Sequence, residues 1–292
     1  MAFWTNNNIP SGLLDQTLLN TGFNIETVTY HITPHANGCD GNLTDYVVTV
    51  YPTPDLANTD RTDTVCDSVY TNINLTSHVA GTQFTWRAFG SSPQVTGYSN
   101  SATPGTTIIQ RLENNSIIPQ TVTYRLLPSA NGCPGDSVDY VVTVFPRPNL
   151  STTPLNKEIC NNNNTNIALT SNVAGTLFTW TCTSSSPNIT GYANSVTPLT
   201  QINQNLVNLG DTPETVTYHI TPHANGCDGW VYHYTVTVIP SPYLTNSPLR
   251  QTQCNTQNTN LTLTSNVAGT QFTWTATSSS CCPAGPTPAS RP

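Results

Sequence analysis

Six of the nine cysteines fall at two recurring positions: Cys39, Cys133 and Cys227 at one, Cys66, Cys160 and Cys254 at the other. Cysteines held at fixed spacing in an Asn/Thr-rich chain read as disulfides formed in an oxidising compartment. The simplest pairing lies within a unit, Cys66 with Cys133 and Cys160 with Cys227, which leaves Cys254 for Cys39 of a neighbouring copy. In a regular two-sheet sandwich, however, the two connections that carry these cysteines lie at opposite ends, so pairing between neighbouring units stays open. Zinc binding is the poorer reading, because the chain has no C-x-x-C pair and Cys281 and Cys282 are adjacent. Cys182 stands where its sister copies have Ala and is expected to be a buried free thiol.

Other groups capable of chemistry do not assemble into a site. His31/His35 and His219/His223 are four residues apart, which on a strand is about 13 Å, too far for one metal ion. The middle copy has Arg125 and Ser129 instead, so a surface or turn role is expected. Asp55, Asp60, Asp63 and Asp67 crowd one stretch and could hold calcium; the equivalent stretch Asn149–Cys160 has no Asp and one Glu, which argues against a repeated site. No Ser or Cys recurs beside a His and a carboxylate, and no Gly-rich phosphate loop occurs, so no catalytic residue, metal or cofactor is expected. Asn-x-Ser/Thr occurs at Asn42, Asn74, Asn114, Asn149, Asn163, Asn188 and Asn260. In so Asn-rich a chain these support surface exposure more than glycosylation.

What positions these residues is a repeat. ETVTYHITPHANGCDG at Glu26–Gly41 returns letter for letter at Glu214–Gly229, twice 94 residues later, with the diverged QTVTYRLLPSANGCPG halfway between at Gln120. LTSNVAGT at Leu169 and Leu263, and LTSHVAGT at Leu75, keep the same interval, as do Trp86, Trp180 and Trp274. A fixed period names the architecture before any local assignment. Residues 53–146 and 147–240 are complete repeats, each entered through a Pro-x-Pro hinge: Pro52/Pro54, Pro146/Pro148, with a third at Pro240/Pro242. Two prolines one residue apart force extended backbone and cannot sit in a central strand.

Within a repeat the strand signals follow in order. An edge strand is followed by a polar connection carrying Cys66, then by strands at Asn72–Ser77, QFTW, Ile108–Leu112, Gln120–Leu127 and Asp139–Phe145. Val122, Tyr124 and Leu126 alternate with Thr121, Thr123 and Arg125, the period-2 pattern of a strand with one buried face. Six or seven short strands with an inward Trp on the third give an all-β, immunoglobulin-like sandwich, essentially without helix. Trp86, Trp180 and Trp274 are the expected core tryptophans.

Residues 1–52 match the C-terminal half of a repeat (strands D to G) and residues 241–280 the N-terminal half (strands A to C); residues 281–292 match nothing in the repeat. Half a sandwich leaves apolar surface and strand edges open to water. Two readings stay open: completion by a neighbouring copy, giving a head-to-tail filament, or a cut from a longer natural array. The start, MAFWTNNNIPSGLL, lacks the basic and apolar regions of a signal peptide. With extracellular-looking cysteines, the expectation is a piece of a longer exported chain or an incomplete reading frame.

Composition narrows the class. Charged residues are only 8%, against about 25% in typical soluble proteins, while Val, Ile, Tyr and Trp recur regularly, unlike a disordered chain. A net charge of −7 with eight Lys and Arg argues against nucleic acid or an anionic membrane as partner. No apolar run approaches the ~18 residues of a membrane-spanning helix.

PTPDL after VVTVY, a cysteine ahead of the second strand, NVAGTxFTWT and TVTYxITPxANGC together resemble the PKD-like (polycystic-kidney-disease-like) repeats of bacterial surface proteins, over nearly all of residues 3–280. The resemblance implies an extracellular β-sandwich array in an adhesin exported by type IX secretion, with a stalk or adhesive role. It also implies O-glycosylation at Asp-Ser/Thr-apolar triplets, here Thr64, Ser68 and Ser137. The family's secretion tail is absent from the residues present. The expected function is a non-enzymatic fibre or stalk whose partners are other copies, neighbouring fibres or surface glycans. A carbohydrate- or surface-binding module is the alternative; it calls for an exposed aromatic cluster in each repeat, for which Tyr98, Tyr192 and Trp4 are the candidates.

Overall fold

A computed structural model describes residues 11–254 and 256–278. Trp4, the Met1 start and the tail 281–292 with Cys281 and Cys282 lie outside them. Every regular element among the described residues is a strand. Compactness divides the described residues into two units: one holds those up to 151 with 170–178 and 221–230, the other 152–169, 179–220 and those from 231 on.

In the first unit the repeat 53–146 forms a sandwich. One sheet runs in the order Ser101–Gly105, Gln83–Gly90, Gln120–Ala130, Val138–Phe145, Thr62–Cys66. The opposite face is built from short pieces: Ile73–Asn74 with Thr107–Ile108, and Arg111–Asn114 between Val69–Tyr70 and Val95–Thr96. Alternation fixes the register. Gln120–Leu126 pairs antiparallel with Val144–Val138, which turns Val122, Tyr124, Leu126, Tyr140, Val142 and Val144 inward onto Phe84, Ile108 and Leu112. A one-residue slip would send that whole set to solvent. Tyr124 is fully buried, and its hydroxyl donates to Gln110 Oε1 at 2.9 Å, so the ring's polar end is satisfied.

The strand order recurs in the second repeat as Ser195–Leu199, Leu177–Ser184, Glu214–Ala224, Tyr232–Ile239, Asn156–Cys160. Tyr218 there donates to Gln204 at 3.0 Å. In both repeats the edge strand that ends in a cysteine runs parallel to the last strand, as Thr62–Cys66 beside Val141–Phe145 and Asn156–Cys160 beside Thr235–Ile239.

The structure corrects several strand assignments. Cys66 and Cys160 end ladder strands instead of lying in a polar connection. The stretch expected as one strand at Ile108–Leu112 is broken at Ile109–Gln110, where Thr71 Oγ1 binds the Ile108 carbonyl and accepts the Gln110 N–H. Asn72–Ser77 shrinks to Ile73–Asn74, because the following residues pair with the incoming linker: Asn58 binds the Asn74 carbonyl and the Thr76 N–H. Ser101–Gly105, in a Ser/Pro-rich stretch with no alternation to read, is a strand.

The half-repeats differ from the complete ones. Residues 11–52 carry the hairpin Glu26–Ile32 with Thr44–Val50, and Tyr46 is 61% exposed where Tyr140 and Tyr234 are 7% and 5%. Residues 241–278 hold one isolated bridge, Leu244 to Ser265, in place of the three strands expected. Trp274 is 79% exposed, whereas Trp180 is buried and Trp86 half-buried against the core. The reason is the missing cover. In the complete repeat Trp86 sits opposite Leu126 on one side and Ser101 on the other.

A buried asparagine recurs at one register position, Asn20, Asn114 and Asn208. Asn114 Nδ2 donates to the Ile118 and Val144 carbonyls at 2.9 and 2.8 Å, its Oδ1 accepts from the Ser116 N–H, and its own N–H donates to Asp67 Oδ1. Asn208 repeats this with Thr212, Val238, Gly210 and Asn161. This corrects one expectation, since Asn114 of the Asn-x-Ser/Thr set is inside and its amide is fully committed. Removing that amide strands buried carbonyls. Asn114→Ala is expected to cost about 2–3 kcal/mol in urea unfolding, while the exposed neighbour change Asn115→Ala stays within about 0.5 kcal/mol.

Candidate functional site

The two recurring cysteine positions meet at a junction between repeats that lies wholly within the first unit. Cys66 at the end of Thr62–Cys66 is disulfide-bonded to Cys227, 161 residues on, with a Cα–Cα distance of 5.7 Å. The pairing within a unit, Cys66–Cys133 and Cys160–Cys227, is therefore not the one formed. The cause is the one that left pairing open: parallel pairing with the last strand carries Cys66 to one end of its sandwich, and the tight turn Ala130–Cys133 closes the other end. Cys39, Cys133, Cys160 and Cys254 are unbonded thiols. Cys182 is free as expected but half-buried; burial pushes its thiol up to about 11.

The turn that brings Cys227 to Cys66 is built by local rules. Asn225 and Gly226 take the left-handed conformation (φ 53° and 77°), which Asn and Gly tolerate best, so Ala224 pairs with Cys227 directly. The hinge then rests on this turn. A Cβ on Gly229 would lie 2.1 Å from the Pro148 carbonyl oxygen, so no other residue fits there. The first repeat has the same contact between Gly135 and Pro54. The hinge prolines thus act as a seat for backbone contact as well as a stiff connection.

The third hinge departs from this pattern and corrects the expectation of three equivalent ones. Pro52, Pro54, Pro146, Pro148 and Pro240 are buried, but Pro242 is exposed. The cause is again missing cover: residues 241–278 contain no turn like Asn225–Gly229 for Pro242 to rest on. Pro240 stays buried because it directly follows Tyr232–Ile239, the last strand of a complete repeat.

Arg147, between the two prolines of the second hinge, completes the corner. Its guanidinium donates to the Asp67 carbonyl at 3.2 Å and the Asp228 carbonyl at 3.0 Å, and lies 5.0 Å from the centre of the Trp230 ring. Sequence reasoning missed Arg147 and Trp230. The available signal was an Arg where the other hinges have Thr53 and Ser241.

The remaining candidates go to separate partners. His31 and His35 pair with Asp45 and Asp40, His223 with Asp228, and His219 faces His233 and Thr183. Asp67 accepts from Asn114, Asp63 from the Thr64 N–H, and Asp55 from His78 and Ser77; among the described residues no three His, Cys, Asp or Glu side chains gather as for a metal. Tyr98 packs half-buried against the core, and Tyr192 is half-buried and bonds Ser184, so neither tyrosine offered for a recurring exposed aromatic cluster is exposed. Trp4 lies outside the described residues. Thr64 and Ser137 are exposed, and Ser68 is half-buried beside the junction.

A family model described as a PKD-like domain matches residues 5–54, 63–148 and 157–242. The chain belongs to the PKD-like domain family. Its tandem PKD-like, immunoglobulin-like repeats are consistent with a stalk or adhesion module. No curated protein sequence matches the chain significantly. Among solved structures it is similar to extracellular cadherin domains 3–6 of protocadherin gamma B2 (11% identity, TM-score 0.32, 68% of this chain and 56% of that one). Others are the Ig1 and Ig2 domains of DIP-gamma (7%, 0.32, 65% and 98%) and the I67–I69 fragment of titin (8%, 0.32, 69% and 72%). The chain spans little more than half of the protocadherin fragment.

Two outcomes test the site. Cys66→Ser is expected to lower stability by about 2–4 kcal/mol in urea unfolding, with reduced wild type matching the variant. The second concerns acid. Burial raises the Asp55 carboxyl, but bonds from the His78 ring and N–H and from Ser77 outweigh it, leaving it below its ordinary value. Its contribution is then complete above about pH 4 and falls as pH drops through the lowered folded value. Thermal melts of Asp55→Asn should be less stable than wild type at neutral pH and flatter below about pH 4.

Proposed function

We propose that this PKD-like chain is a structural, non-enzymatic segment of an extracellular stalk or adhesin on a bacterial surface, and that copies assemble head to tail by completing each other's half-repeats. The observation that carries this reading is the pair of open faces. The hairpin Glu26–Ile32/Thr44–Val50 exposes Ile32, Tyr46 and Val47, and the equivalents of Ile32 and Tyr46 in the complete repeats, Leu126 and Tyr140, are core. Residues 241–278 expose Trp274, whose counterpart Trp86 pairs across one sheet with Leu126, the counterpart of Ile32 in that hairpin. Each half presents what the other lacks, in the register that the complete repeats display. A second copy supplies both without any new sequence.

The surface supports a spacer. Asn, Thr and Ser dominate, ion pairs such as Arg111–Glu113 and Arg125–Asp139 are exposed, and exposed pairs contribute little to stability. Such a surface changes little with salt. Self-association is the partner relation proposed from the open faces; neighbouring fibres and surface glycans follow from the adhesin reading, as do type IX export and O-glycosylation at Thr64, Ser68 and Ser137. No cofactor enters the proposal.

Negative-stain electron microscopy of the purified chain tests assembly. Filaments are expected at micromolar concentration, and Tyr46→Lys, which places a charge on the open face, is expected to abolish them while leaving the urea unfolding of the complete repeats unchanged. Separate short particles from wild type under the same conditions would overturn assembly by half-repeat completion.

A further inference from the structure

Cys66–Cys227 joins the cysteine ending the edge strand of one repeat to the turn cysteine of the next, and the 94-residue period extends this pairing as a rule to the other repeats. That rule leaves Cys160 and Cys254 without a following turn cysteine in this chain, and Cys39 and Cys133 without a preceding edge-strand cysteine. All four are thiols, with Cys39, Cys160 and Cys254 exposed and Cys133 half-buried.

The corner at Cys160 is already shaped like the one at Cys66. Asn161 N–H donates to the Ile239 carbonyl as Asp67 N–H donates to Phe145. Asn161 Nδ2 also reaches Ser241 Oγ, at the hinge position where Arg147 reaches the Asp67 carbonyl. Beside it lies an open depression of about 600 Å³ lined by Lys157, Glu158, Cys160, Asn162 and Asn205 among others. At the first junction the neighbourhood of Cys66 holds the turn Asn225–Cys227, with the Cys66 sulphur 4.0 Å from the Gly226 carbonyl.

We propose that a second copy of this chain occupies the corner at Cys160, and that each joint between copies is closed by two disulfides, Cys160 to Cys39 and Cys254 to Cys133 of the following copy. This rests on the head-to-tail completion proposed above and fixes its covalent register. When residues 241–278 of one copy and 11–52 of the next form one repeat, the turn of that shared repeat carries Cys39, which faces Cys160. The edge strand of the same repeat carries Cys254, which faces Cys133 in the repeat that follows. All six repeat cysteines then obey the one rule. The pairing of Cys254 with Cys39, within the shared repeat, does not form, for the reason that Cys66 does not bond Cys133. Each bond requires an oxidant, a small-molecule disulfide such as oxidised glutathione. One thiolate attacks it and releases a thiol, the second displaces the other thiol, and the net transfer is two electrons and two protons to the glutathione.

The test mixes unlabelled and ¹⁵N-labelled chain carrying Cys281→Ser and Cys282→Ser, oxidises the mixture in a glutathione buffer, and maps the crosslinked peptides by mass spectrometry without reduction. The expected result is mixed-label Cys160–Cys39 and Cys254–Cys133 peptides beside single-label Cys66–Cys227, with a ladder on non-reducing gels. Cys160→Ser should remove the Cys39 crosslink and leave Cys254–Cys133. Filaments by microscopy with Cys254–Cys39 crosslinks, or with these four cysteines still thiols, would overturn this inference and leave the assembly standing. Oxidised chain without filaments and without mixed-label peptides would overturn both.

Discussion

The junction depends on a backbone contact that tolerates only glycine. At Gly229 the hinge carbonyl of Pro148 comes so close that a Cβ would overlap it, and Gly135 meets Pro54 in the same way. Because the hinge prolines fix φ and carry no N–H, the chain enters each complete repeat along one path, resting on the turn that follows the long central strand. That seat places the turn cysteine, Arg147 and the edge-strand corner of the preceding repeat within reach of one another. The disulfide, the guanidinium bridge and the Trp230 contact are consequences of this approach more than its causes.

A repeat with so few charges must satisfy its polar groups inside. Asn114 and Asn208 do this by tying the loop before the central strand to the carbonyl of the last strand and, through their own N–H groups, to the corner beside the cysteine. Gln110 and Gln204 cap the buried tyrosine hydroxyls. Among the described residues no buried side-chain nitrogen or oxygen lacks a partner. The amide-rich composition that looks featureless in the sequence is therefore partly structural, since these side chains take the role that ion pairs or water fill elsewhere.

The sandwich was legible because its cause is local. Val122, Tyr124 and Leu126 alternate, and the 94-residue period repeats the signal. The strand Ser101–Gly105 was not, because its pairing is irregular and its side chains point largely to water. The cysteines announced bonds but not partners: spacing along the chain says nothing about which end of a sandwich a connection reaches, and that is decided by the parallel pairing of Thr62–Cys66 with the last strand. Arg147 and Trp230 occur at one junction only, so the period that exposed everything else hid them. Trp274 and Pro242 show the converse. Their motifs match the buried tryptophans and hinge prolines of the complete repeats, but a side chain is buried by its neighbours in space, and those lie on strands and turns that residues 241–278 do not contain.

The bond between Cys66 and Cys227 also sets how the chain transmits tension. A pull along the chain reaches Cys66, crosses the sulphurs and leaves at Cys227, bypassing the 161-residue span between them. Most of both complete repeats is then shielded from the load, and the slack that their unravelling would release, roughly 550 Å at about 3.4 Å per residue, stays locked. In an oxidising setting that span does not lengthen under load; under reducing conditions the same residues become a stretchable tether.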